Sequence, residues 1–371
     1  MMQDTPPDEV EPDEEGEPVR LTRRELLRAG ALSAAGLAAA GGALALPVRG
    51  AGQGVLADTP AVGHPAHGDH DVVRGGHGSH ADMMAVGELA PGGFDPTAFL
   101  TRFDGGKVSR LPSGQTLREY EMVASEVEIE VAPGVIFPAW AYNGQVPGPT
   151  IRCTEGDRVR VRFVNGSTHP HTIHFHGVHA AGMDGAFEMV QPGGQFTYEF
   201  DAEPFGLHLY HCHAVPLKRH IHKGLYGVFL VDPPQGRPPA RELVMVMNGF
   251  DTNFDGKNEV YAVNTVAHHF QKHPIVVRVG ETVRLYVVNI TEFDLINSFH
   301  LHGNFFRSYR TGTDLERFEL TDTVMLCQGE RAVLEFTYRF PGPYLFHAHQ
   351  SEFVELGWTG IFDVHGGADG A

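Results

Sequence analysis

The sequence predicts an all-β protein made of two tandem Greek-key β-sandwich domains. Three observations predict it. Polar and apolar residues alternate in short runs, Glu126-Val127-Glu128-Ile129-Glu130-Val131, Arg158-Val159-Arg160-Val161-Arg162-Phe163 and Gln195-Phe196-Thr197-Tyr198-Glu199-Phe200, which is the period of half-buried strands. Pro/Gly turns separate these runs, and none of the region between has a convincing helical period. The pattern then repeats. Glu155-Gly156-Asp157-Arg158-Val159-Arg160 returns as Val279-Gly280-Glu281-Thr282-Val283-Arg284, His174-Phe175-His176-Gly177 as His300-Leu301-His302-Gly303, and His211-Cys212-His213 as His347-Ala348-His349. The first matches are about 125 residues apart and the last 136, as expected for two copies of one β-domain.

The 371 residues accommodate these two domains and a tail. A net charge of −18 would repel phosphates and argues against nucleic acid as a partner. Part of that charge lies in the acidic run Asp8-Glu9-Val10-Glu11-Pro12-Asp13-Glu14-Glu15, ahead of any fold. In order along the chain, residues 1–51 hold this acidic stretch and a twin-arginine export pattern: Thr22-Arg23-Arg24-Glu25-Leu26-Leu27, an uncharged Ala/Gly/Leu run, and Ala43-Leu44-Ala45 as the expected cleavage site. The run is short and weakly apolar for a membrane span, so no stable membrane anchor is expected and the protein is expected to be exported. Residues 52–93 are Gly/Pro/Asp/His-rich without periodicity and read as a disordered linker; its His64, His67, His70, His77 and His80 suit either a metal-capture tail or a solvated spacer. Domain 1 is assigned to residues 94–232 and domain 2 to 240–366, with Pro233-Pro234-Gln235-Gly236-Arg237-Pro238-Pro239 as the linker.

Chemistry concentrates in the histidines, 23 in all and clustered, whereas the three cysteines are too few and scattered for a disulfide framework. On a strand, H-x-H puts both imidazoles on one face. A single such pair is commonly a satisfied core feature, but four pairs at repeated positions require a compensating partner, and a metal is the natural one. In His211-Cys212-His213 the cysteine faces away from its two neighbours, so it can serve one metal while the histidines serve another. Thiolate with imidazole is the ligand set of a trigonal copper electron-transfer site.

These residues resemble the multicopper oxidase family, and within it the two-domain, laccase-like enzymes. The resemblance runs from residue 119 to 364 and rests on Tyr142-Asn143-Gly144-Gln145-Val146-Pro147-Gly148-Pro149-Thr150-Ile151-Arg152, the H-x-H-G elements and the H-C-H element. It implies cupredoxin-like domains and four copper ions per chain. The type 2 copper would take His174 and His300; the type 3 pair would take His176, His211, His213, His302, His347 and His349. The type 1 copper would take His171, Cys212 and His220, with Leu225 at the axial position. Leucine cannot coordinate, so a raised reduction potential is expected. In the second copy Asn297, Ala348, Phe353 and Trp358 replace these four residues, so only domain 1 should carry a type 1 site.

The resemblance further implies that a small reducing substrate (a phenol, an aromatic amine or a metal ion) gives single electrons at Cys212, and that dioxygen is reduced to water. Asp184 and, less directly, Glu352 are the candidate catalytic acids; an Asp before Gly is otherwise a common turn residue. A homotrimer with clusters at subunit interfaces is implied by the two-domain relatives, although an intrachain cluster is open on sequence alone. Copper nitrite reductase and a non-catalytic copper-binding or storage protein are the alternatives. His169, His179, His208 and His222 are expected in supporting or surface roles, and Cys153 and Cys327 as buried hydrophobes.

Overall fold

The structure is a computed structural model that describes residues 93–366. The expected export signal and the tract from His64 to His80 lie outside the described residues.

Each half of the described chain folds as two facing sheets. In the first half, Thr116–Ala132 pairs in parallel with Arg158–Asn165, which pairs antiparallel with Gln195–Asp201; Lys107–Arg110 and Val135–Tyr142 complete this sheet. The facing sheet runs Phe103–Asp104, Thr150–Thr154, Tyr226–Asp232, Gly206–His211 and His174–Phe175. The second half repeats the plan. Arg241–Phe250 is parallel to Thr282–Asn289, which is antiparallel to Arg331–Thr337. Its facing sheet runs Ile275–Arg278, Thr359–His365, Gly342–His347, Ile296–Leu301 and Thr323–Cys327. Even the register returns: His174 stands opposite His211 in the first half, and His300 opposite His347 in the second. The all-β, cupredoxin-like expectation therefore holds at the level of individual strand pairs.

Burial explains where the sequence alternation fails. Glu126 to Val131 lies over one core and alternates, whereas Gly206–His211 is buried at every position and Arg241–Phe250 at all but its first two. The reason is a third apolar core between the sandwiches, in which Phe137, Leu207, Leu209 and Val228 meet Val246, Phe250, Tyr286 and Val333. A strand with a core on each side reads as a continuous apolar run. At the edge of this interface Arg152 bonds Asp232 and Glu242, each at 2.7 Å, and Arg284 bonds Glu335 at 2.7 Å and Glu242 at 3.3 Å. Burial works against the charged form of Glu242, but hydrogen bonds from Arg152 and Tyr286 outweigh it and hold its carboxyl below the usual range.

Helices are short and few among the described residues, and none is long and apolar enough to cross a membrane. Two of them matter for the site because they fall at equivalent points of the repeat, Leu217–His222 and Ser351–Glu355. One expectation is overturned. Cys153 is buried, but Cys327 is exposed, because it ends the strand Thr323–Cys327 on the face opposite the inward Leu326.

Candidate metal centre

Three groups of side chains stand out. The first joins His171, Cys212 and His220. His171 sits on a short bridge to Val190, Cys212 directly follows the strand Gly206–His211, and His220 comes from the helix Leu217–His222. Gly224 ends that helix at φ +113°, where a Cβ would lie 2.6 Å from Val146 and 2.9 Å from the Trp140 carbonyl, so only glycine lets the helix close over the strand. The ligand atoms converge. Cys212 Sγ lies 3.2 Å from His220 Nδ1 and 3.9 Å from His171 Nδ1, and the two nitrogens are 3.1 Å apart.

Electrostatics suit a cation here. Burial, with repulsion between the rings, pushes the pKa of His171 down to about 3; burial, with Arg219 nearby, pushes His220 down to about 4. Both imidazoles are therefore neutral and carry a lone pair. His171 Nε2 is 2.6 Å from Ser167 Oγ, so an N–H donated there leaves Nδ1 bare toward the sulfur. Burial raises the Cys212 thiol, although the Thr172 N–H, 3.4 Å from Sγ, favours the thiolate. Three electron-pair donors pointed at one another fit a soft or borderline metal that would also deprotonate the thiol. Leu225 is wholly buried beside them and its carbonyl accepts the Cys212 N–H at 2.9 Å.

The other two groups are near copies of each other. In domain 1 the ring centroids of His174 lie 5.1 Å from His176, 5.2 Å from His211 and 5.4 Å from His213. In domain 2 the matching separations from His300 are 5.0 Å to His302, 5.3 Å to His347 and 5.2 Å to His349. His211 and His213 are 6.0 Å apart, as are His347 and His349. The polar supports are also repeated. His174 Nδ1 donates to the Asp184 carbonyl at 2.8 Å and His300 Nδ1 to the Asp322 carbonyl at 2.9 Å. Thr172 Oγ1 accepts the His213 N–H at 2.9 Å, and Ser298 Oγ accepts that of His349 at 2.7 Å. Nε2 of His176 approaches Nε2 of His211 at 3.3 Å, and Nε2 of His302 approaches that of His347 at 2.8 Å. Burial, together with His211 and His174, holds His176 down to about 3, and burial holds His211 down to about 4, so these imidazoles too are bare donors. Among the described residues no group mixes histidines of the two domains.

Within the chain the eight H-x-H histidines and the Cys212 triad thus form three groups, the triad and one four-histidine group in each half. The place of the triad in domain 2 is apolar: Ala348, Phe353 and Trp358 join Phe299 and Phe346 in one core, and Asn297 is buried against Thr291. Asp184 Oδ1 lies 3.4 Å from His174 Nδ1. Its loop is held close because Gly185, at φ +75°, packs where a Cβ would fall 2.0 Å from the Ile173 carbonyl. Glu352 is exposed on its helix, and no hydrogen bond or ion pair links it to the histidines among the described residues. His179 donates to the Phe175 carbonyl, His208 to that of Pro204, and His169 pairs with Glu126. Sequence reasoning missed Ser167, Thr172, Ser298 and Asp322. Thr172 and Ser298 were findable, since each stands two residues before the first histidine of its H-x-H-G.

Comparison with known proteins agrees with this geometry. Residues 124–236 and 237–367 match two family models, each described as multicopper oxidase. A crystal structure of a multicopper oxidase shares 54% identity with the chain, covering 74% of it and 98% of the matched chain, at a TM-score of 0.73. A copper nitrite reductase from Nitrosomonas europaea is 25% identical over 68% of this chain and 95% of that one, at a TM-score of 0.62. The copper-containing nitrite reductase of Neisseria gonorrhoeae is 33% identical over 250 residues, 62% of this chain and 63% of the relative, so the chain spans a little under two thirds of that protein's length.

Proposed function

Because the chain belongs to the multicopper oxidase family, as a two-domain member, we propose that it is a laccase-like oxidase. It couples one-electron oxidation of small donors, phenols, aromatic amines or metal ions, to the four-electron reduction of dioxygen to water. The observation that carries this reading is the doubled four-histidine group beside a single Cys/His/His triad. Copper bound at these positions supplies one-electron redox chemistry at the thiolate and dioxygen reduction among the histidines.

The chain's own residues do the rest. His171, Cys212 and His220 would hold the type 1 copper, and the buried Leu225 beside them offers no donor atom. Cys212 is bonded through its own backbone to His211 and His213, and the His211 Nδ1–H donates to the Cys212 carbonyl at 3.0 Å. That tripeptide is a short covalent and hydrogen-bonded path from the triad to the histidine group. His174 and His300 are assigned to type 2, and the six remaining histidines to type 3. Asp184 holds His174 through its carbonyl and places a carboxylate within reach of a proton moving at that ring. Each domain presents half a cluster, and the reading completes it by apposing domain 1 of one chain with domain 2 of the next in a closed homotrimer. The twin-arginine pattern supports export of the protein already folded and carrying its metal.

A second reading, nitrite reduction at a single type 2 copper, is favoured by the similarity to copper nitrite reductases. It leaves the second half of each histidine pair without a purpose. Copper-loaded protein should contain four copper ions per chain, show an intense blue band, and consume dioxygen with a phenolic donor. Cys212→Ser should lose the blue band and keep the histidine-bound copper. Absent oxygen uptake with nitrite-dependent turnover would overturn the oxidase reading; a blue band that survives Cys212→Ser would overturn the assignment of the triad.

A further inference from the structure

Thr172 stands between the triad and the histidine group of domain 1, and each of its polar atoms is engaged. It directly follows His171, precedes His174 by two positions and is wholly buried. Its N–H points at Cys212 Sγ at 3.4 Å, and its carbonyl accepts the Tyr142 hydroxyl at 2.5 Å. Its Oγ1 accepts the His213 N–H at 2.9 Å. These backbone contacts, with the stiff χ1 of a β-branched residue, fix where the hydroxyl lies.

A hydroxyl also has one hydrogen to donate. Domain 2 shows where that hydrogen goes when no sulfur is present. Ser298 holds the same place, accepts the His349 N–H at 2.7 Å and donates to Gln350 Oε1 at 2.5 Å. In domain 1 the residue matching Gln350 is Ala214, whose side chain has no acceptor, and the residue matching Ala348 is Cys212. The exchange is reciprocal: one domain has an amide and no sulfur, the other a sulfur and no amide. The Thr172 hydroxyl accordingly favours the ionised sulfur, as a donor to it must.

We propose that the Thr172 hydroxyl bridges the two centres electronically, donating to Cys212 Sγ while it accepts the His213 N–H. Electrons then reach the histidine group by a hydrogen-bonded route beside the covalent one. Along the backbone, Cβ, Cα and the carbonyl carbon of Cys212 separate its sulfur from the His213 nitrogen. Through Thr172 a single oxygen joins the same two atoms. One electron leaves the triad and one arrives at the histidines; both hydrogens stay on their own atoms and no bond breaks. The small reducing donor supplies that electron and dioxygen removes it, as in the oxidase reading, on which the inference rests. The same hydrogen bond draws density from the sulfur and so raises the reduction potential of a copper held there.

The test is Thr172→Val in the copper-loaded full chain, which keeps the shape and the backbone N–H but not the hydroxyl. A redox titration of the blue band should show a lower potential. Pulse radiolysis that reduces the blue site without oxygen should show its reoxidation slowed by about fourfold, since two routes share the coupling in a dry interior and the rate follows its square. A lower potential alone would increase the driving force and speed that step, so slowing reports the lost route. Thr172→Ser should restore both values, because Ser298 shows that serine fits this place. Ser298→Ala removes the matching support of His349 but touches no sulfur, and should leave the potential where it was. Should the valine variant fail to fold, Thr172→Ala gives the same comparison. A reoxidation rate that holds or rises, an unchanged potential, or a serine variant as slow as the valine one would overturn the proposal. Failure of the oxidase reading is seen separately, as no reoxidation of the blue site in the unaltered chain while the shift in potential persists.

Discussion

Replacing His222 with glutamine should make the metal-free protein less pH-sensitive, by an amount that can be worked out from its surroundings. His222 is 6% exposed, and its ring packs at 5.2 Å on Phe137 and 4.9 Å on Phe293. The Asp251 N–H donates to its Nε2 at 3.1 Å, so the folded state needs that nitrogen bare. Burial is the main cause that brings its pKa down to about 4, from 6.5 when unfolded. The sign follows. Between those values the unfolded chain binds a proton that the folded chain excludes. The His222 contribution is therefore intact above pH 6.5, is lost as pH falls toward 4, and levels off below. The slope is about 1.4 kcal/mol per pH unit, or about 2 kcal/mol in total by pH 5. Glutamine cannot titrate and can still accept from Asp251 through its amide oxygen, but it loses the ring packing, at a cost of about 2 kcal/mol. Urea unfolding of both proteins from pH 7.5 to 5 should show the variant less stable by about 2 kcal/mol at the top of the range and nearly equal at the bottom. Comparing the two cancels every other histidine. A difference that stays constant across the range would refute the argument.

Further outcomes test the centre and its frame. Asp184→Asn should lower turnover by about 10- to 100-fold with the blue band unchanged, measured by oxygen uptake; unaltered turnover would make Asp184 only a turn residue. Leu225→Met should lower the reduction potential in a redox titration of the blue band, because a thioether can approach the metal where leucine cannot. Arg284→Met should cost about 3 kcal/mol in thermal unfolding, since the side chain is buried and its loss strands Glu335; adding Glu335→Gln should recover part of this.

The sequence carried most of the centre and less of its supports. H-x-H pairs project to one side of a strand wherever the strand goes, so spacing alone placed all eight histidines, and the exchange of Cys212 for Ala348 foretold where the triad is missing. What spacing cannot encode is which atoms approach from another element. Trp140 reaches His220 from a strand eighty positions earlier in the chain, and Ser167 orients His171 through a loop. Glu352 was proposed from nearness in sequence to His349, but a helix begins at Ser351 and carries its side chain to the surface. Cys327 was misjudged for a related reason: a cysteine at a strand end takes its face from the register of that strand, and Leu326 holds the inward position. The core between the sandwiches was visible only as the failure of alternation in Gly206–His211 and Arg241–Phe250.

The apolar filling at Ala348, Phe353 and Trp358 gives the two domains different relations to their surroundings during biogenesis. Domain 2 closes over hydrocarbon and completes its core with what the chain itself encodes. Domain 1 closes over a thiol and two imidazoles held in mutual contact, three donors that a bound ion would draw together. Since Leu207 and Leu209 lie in the core shared by both domains, the half filled with hydrocarbon packs directly behind the strand that leads to Cys212. Two copies of one fold thus join a scaffold to a receptor within a single polypeptide.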